Sequence, residues 1–140
     1  MTDDSFLIII GVQRAEGMNK IVFFRNAKGQ EPVKELLLSL KSKAAGSKDA
    51  RINFEKIMDY LDYLESDGLA IGEPYIKHLE GEIWELRPLR NRILFVALFD
   101  DTFYLLHHFV KKTQKTPRSE IEKAKRELAY LLSSLEEANE

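Results

Sequence analysis

The 140-residue chain has no cysteine, and this absence removes a disulfide framework, a thiolate metal site and a cysteine nucleophile together. A reducing compartment suits such a chain, and a cytoplasmic location is the expectation. Glycine (7) and proline (4) are scarce. That argues against a collagen-like or low-complexity chain, and no internal repeat or linker interrupts the sequence. Long apolar runs are missing as well. The first apolar stretch, Phe6–Val12, is too short for a membrane helix and follows Asp3 and Asp4 rather than basic residues. It resembles neither a membrane span nor a secretory leader.

The chain does contain a normal globular complement, with 44% hydrophobic, 31% charged and 10% aromatic residues. A chain of this length buries roughly 68% of the surface exposed by its unfolded form, enough for one core without staples. The formal charge of -2 argues at first against a nucleic-acid partner. Its distribution does not. Residues 87–126 hold 10 Lys/Arg against 4 Asp/Glu, whereas residues 1–86 hold 11 against 15 and residues 127–140 only 4 acids. A basic segment of this kind attracts polyanions locally whatever the net charge. Lys123, Lys125 and Arg126 read equally well as the solvated face of a helix, but Arg87, Arg92, Lys111 and Lys112 fall on predicted strands.

Asn19–Phe24 reads as a first strand, closed by the turn Asn26-Ala27-Lys28-Gly29. Pro32 then opens a helix whose Val33, Leu36, Leu37 and Leu40 form one apolar stripe. After the break at Ala45-Gly46-Ser47, Phe54, Ile57, Met58, Leu61 and Leu64 repeat the pattern up to Gly68. Ile83–Pro88, Arg92–Phe99 and Phe103–Lys111 predict a three-stranded meander. Thr116 is the expected cap of a last helix, with Pro117 at its first position and Ile121, Ala124, Leu128, Leu131, Leu132 and Leu135 as its apolar face. The order β-α-α-β-β-β-α specifies an α+β domain, two N-terminal helices and a C-terminal helix packing on an antiparallel sheet. Residues 18–140 are assigned to this domain. Residues 1–17 are an extension, either an added edge strand over Phe6–Val12 or a start lying upstream of the true one at Met18.

Alternation along the meander assigns Trp84, Leu86, Ile93, Phe95, Ala97, Phe99, Tyr104, Leu106 and Val110 to the helix-covered face, with His108 as a partly buried structural histidine. The other face, expected to be open, carries Glu85, Arg87, Arg92, His107 and Lys111 among Leu94, Val96, Leu98 and Phe109. If short turns set the register, Arg87 opposes Arg92 and Arg92 opposes Lys111, a row of cations across three strands. Like charges opposed in this way destabilise a sheet that gains nothing from them. A phosphate gains from them directly, because guanidinium forks bind its oxygens in pairs. The bland reading is that Glu85 and the acidic helices neutralise these cations in ordinary ion pairs.

Several runs now resemble a known family. Pro74-Tyr75-Ile76-Lys77-His78-Leu79, Ile83-Trp84-Glu85-Leu86-Arg87, Arg92-Ile93-Leu94-Phe95 and Leu105–Pro117, with its Phe-Val-Lys-Lys-Thr-Gln-Lys-Thr-Pro ending, are similar to the HigB branch of the RelE/ParE toxin superfamily. Phe24–Gly29 and Pro32-Val33-Lys34-Glu35 match its first strand and helix, so the resemblance spans residues 20 to about 130. It implies a RelE-like fold and the toxin of a type II toxin-antitoxin pair. The implied activity is a ribosome-dependent messenger-RNA endoribonuclease that needs no cofactor or metal. The implied partners are the ribosome, messenger RNA and a helix-turn-helix, HigA-like antitoxin, the toxin and antitoxin forming a heterotetramer; no membrane is involved.

Carried over to this sequence, the resemblance makes Arg92, Lys112, Arg87 and His107 the catalytic candidates. Arg87, Arg92, Lys111, Lys112, Lys115 and Arg118 become the RNA-phosphate candidates. His78 either contributes or packs. The tyrosine that some relatives carry after the basic pair is replaced here by the neighbourhood of Arg118. Two other functions stay open: a ParE-like toxin that inhibits a protein target such as DNA gyrase without cutting RNA, and a non-toxic binding module using the same sheet face.

Overall fold

A computed structural model describes residues 19–139. The expected N-terminal extension lies outside the described residues. Strands β1 (Lys20–Phe23), β2 (Ile76–Glu80), β3 (Ile83–Leu86), β4 (Asn91–Leu98) and β5 (Thr102–Val110) form one sheet. Helices α1 (Pro32–Lys43), α2 (Lys48–Asp67) and α3 (Arg118–Ala138) complete the α+β fold. The spatial order is β1-β5-β4-β3-β2. Hairpins join β2 to β5 as an antiparallel meander, and β1 adds to β5 in parallel, Lys20 opposite Thr102 and Phe23 opposite Leu105. The sheet is therefore mixed rather than antiparallel, and it gains β2, where no strand was expected.

Local chemistry fixes the helix ends. Pro32 stands at the start of α1, where its missing N–H costs nothing, and the Glu35 carboxylate accepts the Glu31 N–H at 3.1 Å. Ser47 Oγ accepts the Ala50 N–H at 3.1 Å and caps α2. The far end of α2 is closed by Gly68, whose φ of +62° places it where a side chain is strained. There the Asn19 carboxamide donates to the Leu64 and Glu65 carbonyls, tying the entry of β1 to the end of α2. One cap differs from expectation. Helix α3 starts at Arg118, and the Thr116 hydroxyl turns away from the helix to the Glu85 carboxylate.

Both faces of the sheet are covered. Val33 and Leu37 of α1 and Ile57, Met58, Leu61 and Leu64 of α2 pack with Ile21, Leu86, Ile93, Phe95, Phe103 and Leu105 on one face. Ala124 and Leu131 of α3 pack with Phe24, Ile83, Leu94, Val96 and Leu106 on the other. The second face was expected to be open, so this is a correction, and its cause is legible. Asn91–Val96 is buried at every position, as a strand sandwiched between two layers must be. The assignment of Tyr104 and Leu106 to the α1/α2 face also fails. A bulge sets Leu94 opposite His107 but Phe95 opposite Leu105, and the extra residue shifts the alternation of β5 by one. Tyr104 and Leu106 consequently face α3, while His108 lies opposite Ile93, on the α1/α2 side.

Leu94 sits at the centre of the α3 face with no exposure, whereas Leu132 of α3 is 47% exposed. Leu94→Ala is expected to lower unfolding free energy by about 2–5 kcal/mol, and Leu132→Ala by less than about 0.5 kcal/mol, in urea titrations followed by circular dichroism.

Candidate functional site

At one end of the sheet, β3 delivers Arg87, a tight turn carries Arg90, β4 begins with Asn91 and Arg92, and β5 runs into the segment Lys111–Thr116. The turn is closed by the Asn91 N–H donating to the Pro88 carbonyl at 3.0 Å, with Leu89 at a φ of +60°. Asn91 is held further by its carboxamide, which donates to Asn53 Oδ1 of α2 at 2.8 Å. Arg90 and Lys111 are bonded twice: the Lys111 N–H donates to the Arg90 carbonyl and Arg90 Nη2 donates to the Lys111 carbonyl, each at 2.7 Å. The register differs from the expected row. Arg92 lies opposite Phe109, not Lys111, because β4 pairs with β5 two residues earlier than short-turn counting gives.

Glu85 organises this end. Its carboxylate is fully buried, with Oε1 3.3 Å from Arg87 Nε and 3.9 Å from Arg92 Nε. Its Oε2 accepts the Thr116 hydroxyl at 2.7 Å. The expectation that Glu85 neutralises the strand cations is met, but as a buried cluster rather than a surface pair. The contact with Arg87 is ionic rather than a formed hydrogen bond, and Glu85 Oε1 and Arg87 Nε both lack a hydrogen-bond partner. Arg92 is buried and spends Nη1 on the Leu89 and Asn91 carbonyls at 2.9 and 2.8 Å, clamping the turn. Burial lowers its pKa, and the Arg87 charge adds to the shift. Arg92 is therefore a structural guanidinium beneath the surface.

Arg90, Lys112 and Lys115 are exposed, and Arg87 and Lys111 are half-buried. Because Arg90 ties the segment Lys111–Thr116 at its start and Glu85 ties it at its end, Lys112 and Lys115 are carried on a loop anchored twice. Glu85 is the one carboxylate paired with any of these five cations among the described residues. The structure thus gathers Arg87, Lys111, Lys112 and Lys115 on one rim and adds Arg90 from the β3–β4 turn, which is not among the residues expected from the sequence. The signal for Arg90 was its place between Arg87 and Arg92 in a turn too short to hide a side chain.

Other candidates stand apart. His107 is only 1% exposed and lies under α3, where Nδ1 meets Glu127 Oε1 at 2.5 Å and Nε2 meets Glu120 Oε1 at 2.9 Å. Both ring nitrogens are thus engaged by carboxylates of α3. The expectation that His107 lies on an open face is corrected: it fastens α3 to β5. Arg118 is engaged by Glu80 and Glu122, with Lys125 also on Glu80, in an exposed surface network. His78 Nε2 meets the Gly81 carbonyl at 2.7 Å and its ring packs on Trp84. Burial lowers the pKa of half-buried His108.

A cluster that the sequence reading passed over borders the rim. The rings of Tyr60, Tyr63 and Tyr75 meet pairwise at centroid distances of 5.1–5.9 Å. The Tyr75 carbonyl accepts the Arg87 N–H at 2.9 Å, and Tyr60 lies within electrostatic reach of Arg92. Its sequence signal was the spacing of Tyr60 and Tyr63, one turn apart on α2. Among the described residues no group of three or more His, Asp or Glu side chains is arranged to hold a metal ion. No described helix is long and apolar enough to cross a membrane.

A family model described as "Phage derived protein Gp49-like (DUF891)" matches residues 46–129, a span that contains every residue of the rim. A search of curated proteins finds no match.

Two measurements test this geometry. Glu85→Gln leaves Arg87 and buried Arg92 without their counter-charge and is expected to lower stability by about 3 kcal/mol in urea titration. Hydrogen bonds from Arg118 and Lys125 hold the Glu80 carboxyl down from 4.5 to about 2. A carboxyl lowered by folding stabilises above its unfolded pKa, and this contribution disappears as pH falls from about 4.5 to about 2. The melting temperatures of wild type and Glu80→Gln, separate at pH 7, are therefore expected to converge across that window, by a small amount for so exposed a pair.

Proposed function

Because the chain belongs to the phage-derived Gp49-like family, a toxin-antitoxin-related family of the RelE/HigB kind, we propose that it is the toxin of a type II pair, an endoribonuclease acting on messenger RNA held by the ribosome. The observation that carries this reading is the rim: Arg87, Arg90, Lys111, Lys112 and Lys115 share one end of the sheet with a single buried carboxylate among them.

The chemistry asks little more of the protein than position and charge. In RNA the ribose 2′-hydroxyl attacks the adjacent phosphorus and the P–O5′ bond breaks. A 2′,3′-cyclic phosphate and a 5′-hydroxyl result, with one proton leaving the 2′-oxygen and one reaching the 5′-oxygen. The pentacoordinate state carries extra negative charge on its non-bridging oxygens, and preorganised cations stabilise that charge more than the ground state. Arg87 supplies a fork held in place by Glu85, and Lys111, Lys112 and Lys115 supply point charges on a doubly anchored loop. Arg92 acts one layer below, keeping the turn that presents Arg90 in shape. His107, with both ring nitrogens on carboxylates, holds α3 and takes no part in proton transfer. A helix-turn-helix antitoxin is the partner in this reading, joined with the toxin in a heterotetramer.

Expression of the chain alone is expected to arrest growth and to generate new transcript 5′ ends only in translated messages. Lys112→Ala and Arg87→Ala are expected to reduce cleavage roughly 10²-fold each, the cost of losing one transition-state donor, without loss of the folded circular dichroism spectrum. If both variants cut as the parent does, the nuclease reading is lost. Intact transcripts with arrested replication point to a protein target instead.

A further inference from the structure

A second basic surface lies where α3 passes the turn after β1, and the proposed cleavage chemistry makes no use of it. Lys123, Arg126, Glu127 and Tyr130 of α3 recur at i, i+3, i+4 and i+7, so they share one helix face. That face and the turn after β1 enclose a groove of about 440 Å³ lined by Phe24, Lys28, Lys123, Arg126, Glu127 and Tyr130. The size suits one small organic group.

Its electrostatics are one-sided. No carboxylate pairs with Lys28, Lys123 or Arg126 among the described residues, and all three are exposed. The only acid in the lining, Glu127, is turned inward onto His107 and answers that ring rather than the groove. The apolar wall is ordered. Phe24 is buried and meets the Tyr130 ring edge-on at 6.1 Å and 86°, while Tyr130 itself is 42% exposed. The opposite lip is rigid, because Asn26 Oδ1 accepts the N–H groups of Lys28 and Gln30 at 2.9 Å each, and its amide donates to the Gln30 side chain.

We propose that this groove is a nucleotide-binding subsite for single-stranded RNA, with a base stacking on Tyr130 and its flanking phosphates on Lys28, Lys123 and Arg126. Cations alone suit any acidic partner. An aromatic ring held between them adds a face for stacking, which a base uses and an acidic peptide does not. The subsite is separate from the rim, so binding here fixes a strand at a second point without taking part in the cleavage step.

Binding of fluorescent pentauridylate to the full chain, by anisotropy across a salt series, tests the assignment without reading cleavage. Tyr130→Ala is expected to weaken binding roughly 5- to 160-fold, the range for one lost stack, and Tyr130→Phe to retain it. The pair Lys123→Ala with Arg126→Ala is expected to flatten the plot of log affinity against log salt by about 1.4, two single-strand phosphate contacts. Both losses are expected to persist in a Lys112→Ala background, which separates the groove from the rim. A Tyr130→Ala variant that binds as wild type, or a pentaglutamate probe that binds as tightly as the RNA, overturns the proposal. A chain that cuts no RNA but shows these losses keeps the subsite and loses only the nuclease reading.

Discussion

Glu85 is the group on which the proposed site depends. Its carboxylate sits at the end of β3 with no exposure, and three things converge on it: the Arg87 guanidinium, the Arg92 guanidinium and the Thr116 hydroxyl. Each belongs to a different stretch of chain, the end of β3, the start of β4 and the entry to α3. A buried carboxylate of this kind is costly to desolvate, and the cost is recovered only when good partners surround it. Here the partners are distributed so that no two of the three stretches can shift independently. Arg87 meets the carboxylate without a hydrogen bond and lacks the carbonyl partners that hold Arg92, which leaves its guanidinium the least committed of the three. It is also the one with an open flank, its side chain 22% exposed.

The second constraint is α3. Its apolar stripe completes a three-layer arrangement in which the middle strands touch core on both sides. Hydrophobic contact fixes how far α3 stands from the sheet but leaves it free to slide along its axis. The contacts of His107 with Glu120 and Glu127, two turns apart on α3, remove that freedom. The same residue, Glu127, lines the groove beside Tyr130. One buried imidazole thereby couples the position of α3 on the sheet to the shape of the second basic surface.

Much of this was legible in the sequence. Stripes at helical spacing located all three helices, and branched and aromatic runs located β1, β3, β4 and β5. The missed strand, Ile76–Glu80, carries Lys77, His78 and Glu80 and lies at the sheet edge, where apolar alternation is weakest. The parallel pairing of β1 with β5 is a long-range contact that no local pattern encodes. The error about the faces had two physical sources. One was the bulge between Leu105 and His107, which displaces the alternation by one residue and leaves no mark in residue type. The other had a signal: Ile93–Phe99 is apolar without interruption, the mark of a strand buried on both sides rather than one. The grouping of basic residues survived the change of register because it depends on which strand ends meet, and the short turns set that.

The charge balance limits how such a site can work. The exposed or half-buried cations of the rim number five, and the whole chain, these five included, carries a formal charge of -2. Free single-stranded RNA gains about 0.7 in salt slope for each phosphate neutralised, so a handful of contacts gives an affinity that ordinary ionic strength largely erases. On the proposed reading, a chain built in this way cannot find messages by electrostatic attraction alone. It needs the strand delivered in a fixed path, and a rim held by a buried carboxylate suits that task, because its cations are ordered before the phosphate arrives and little entropy remains to be lost on contact.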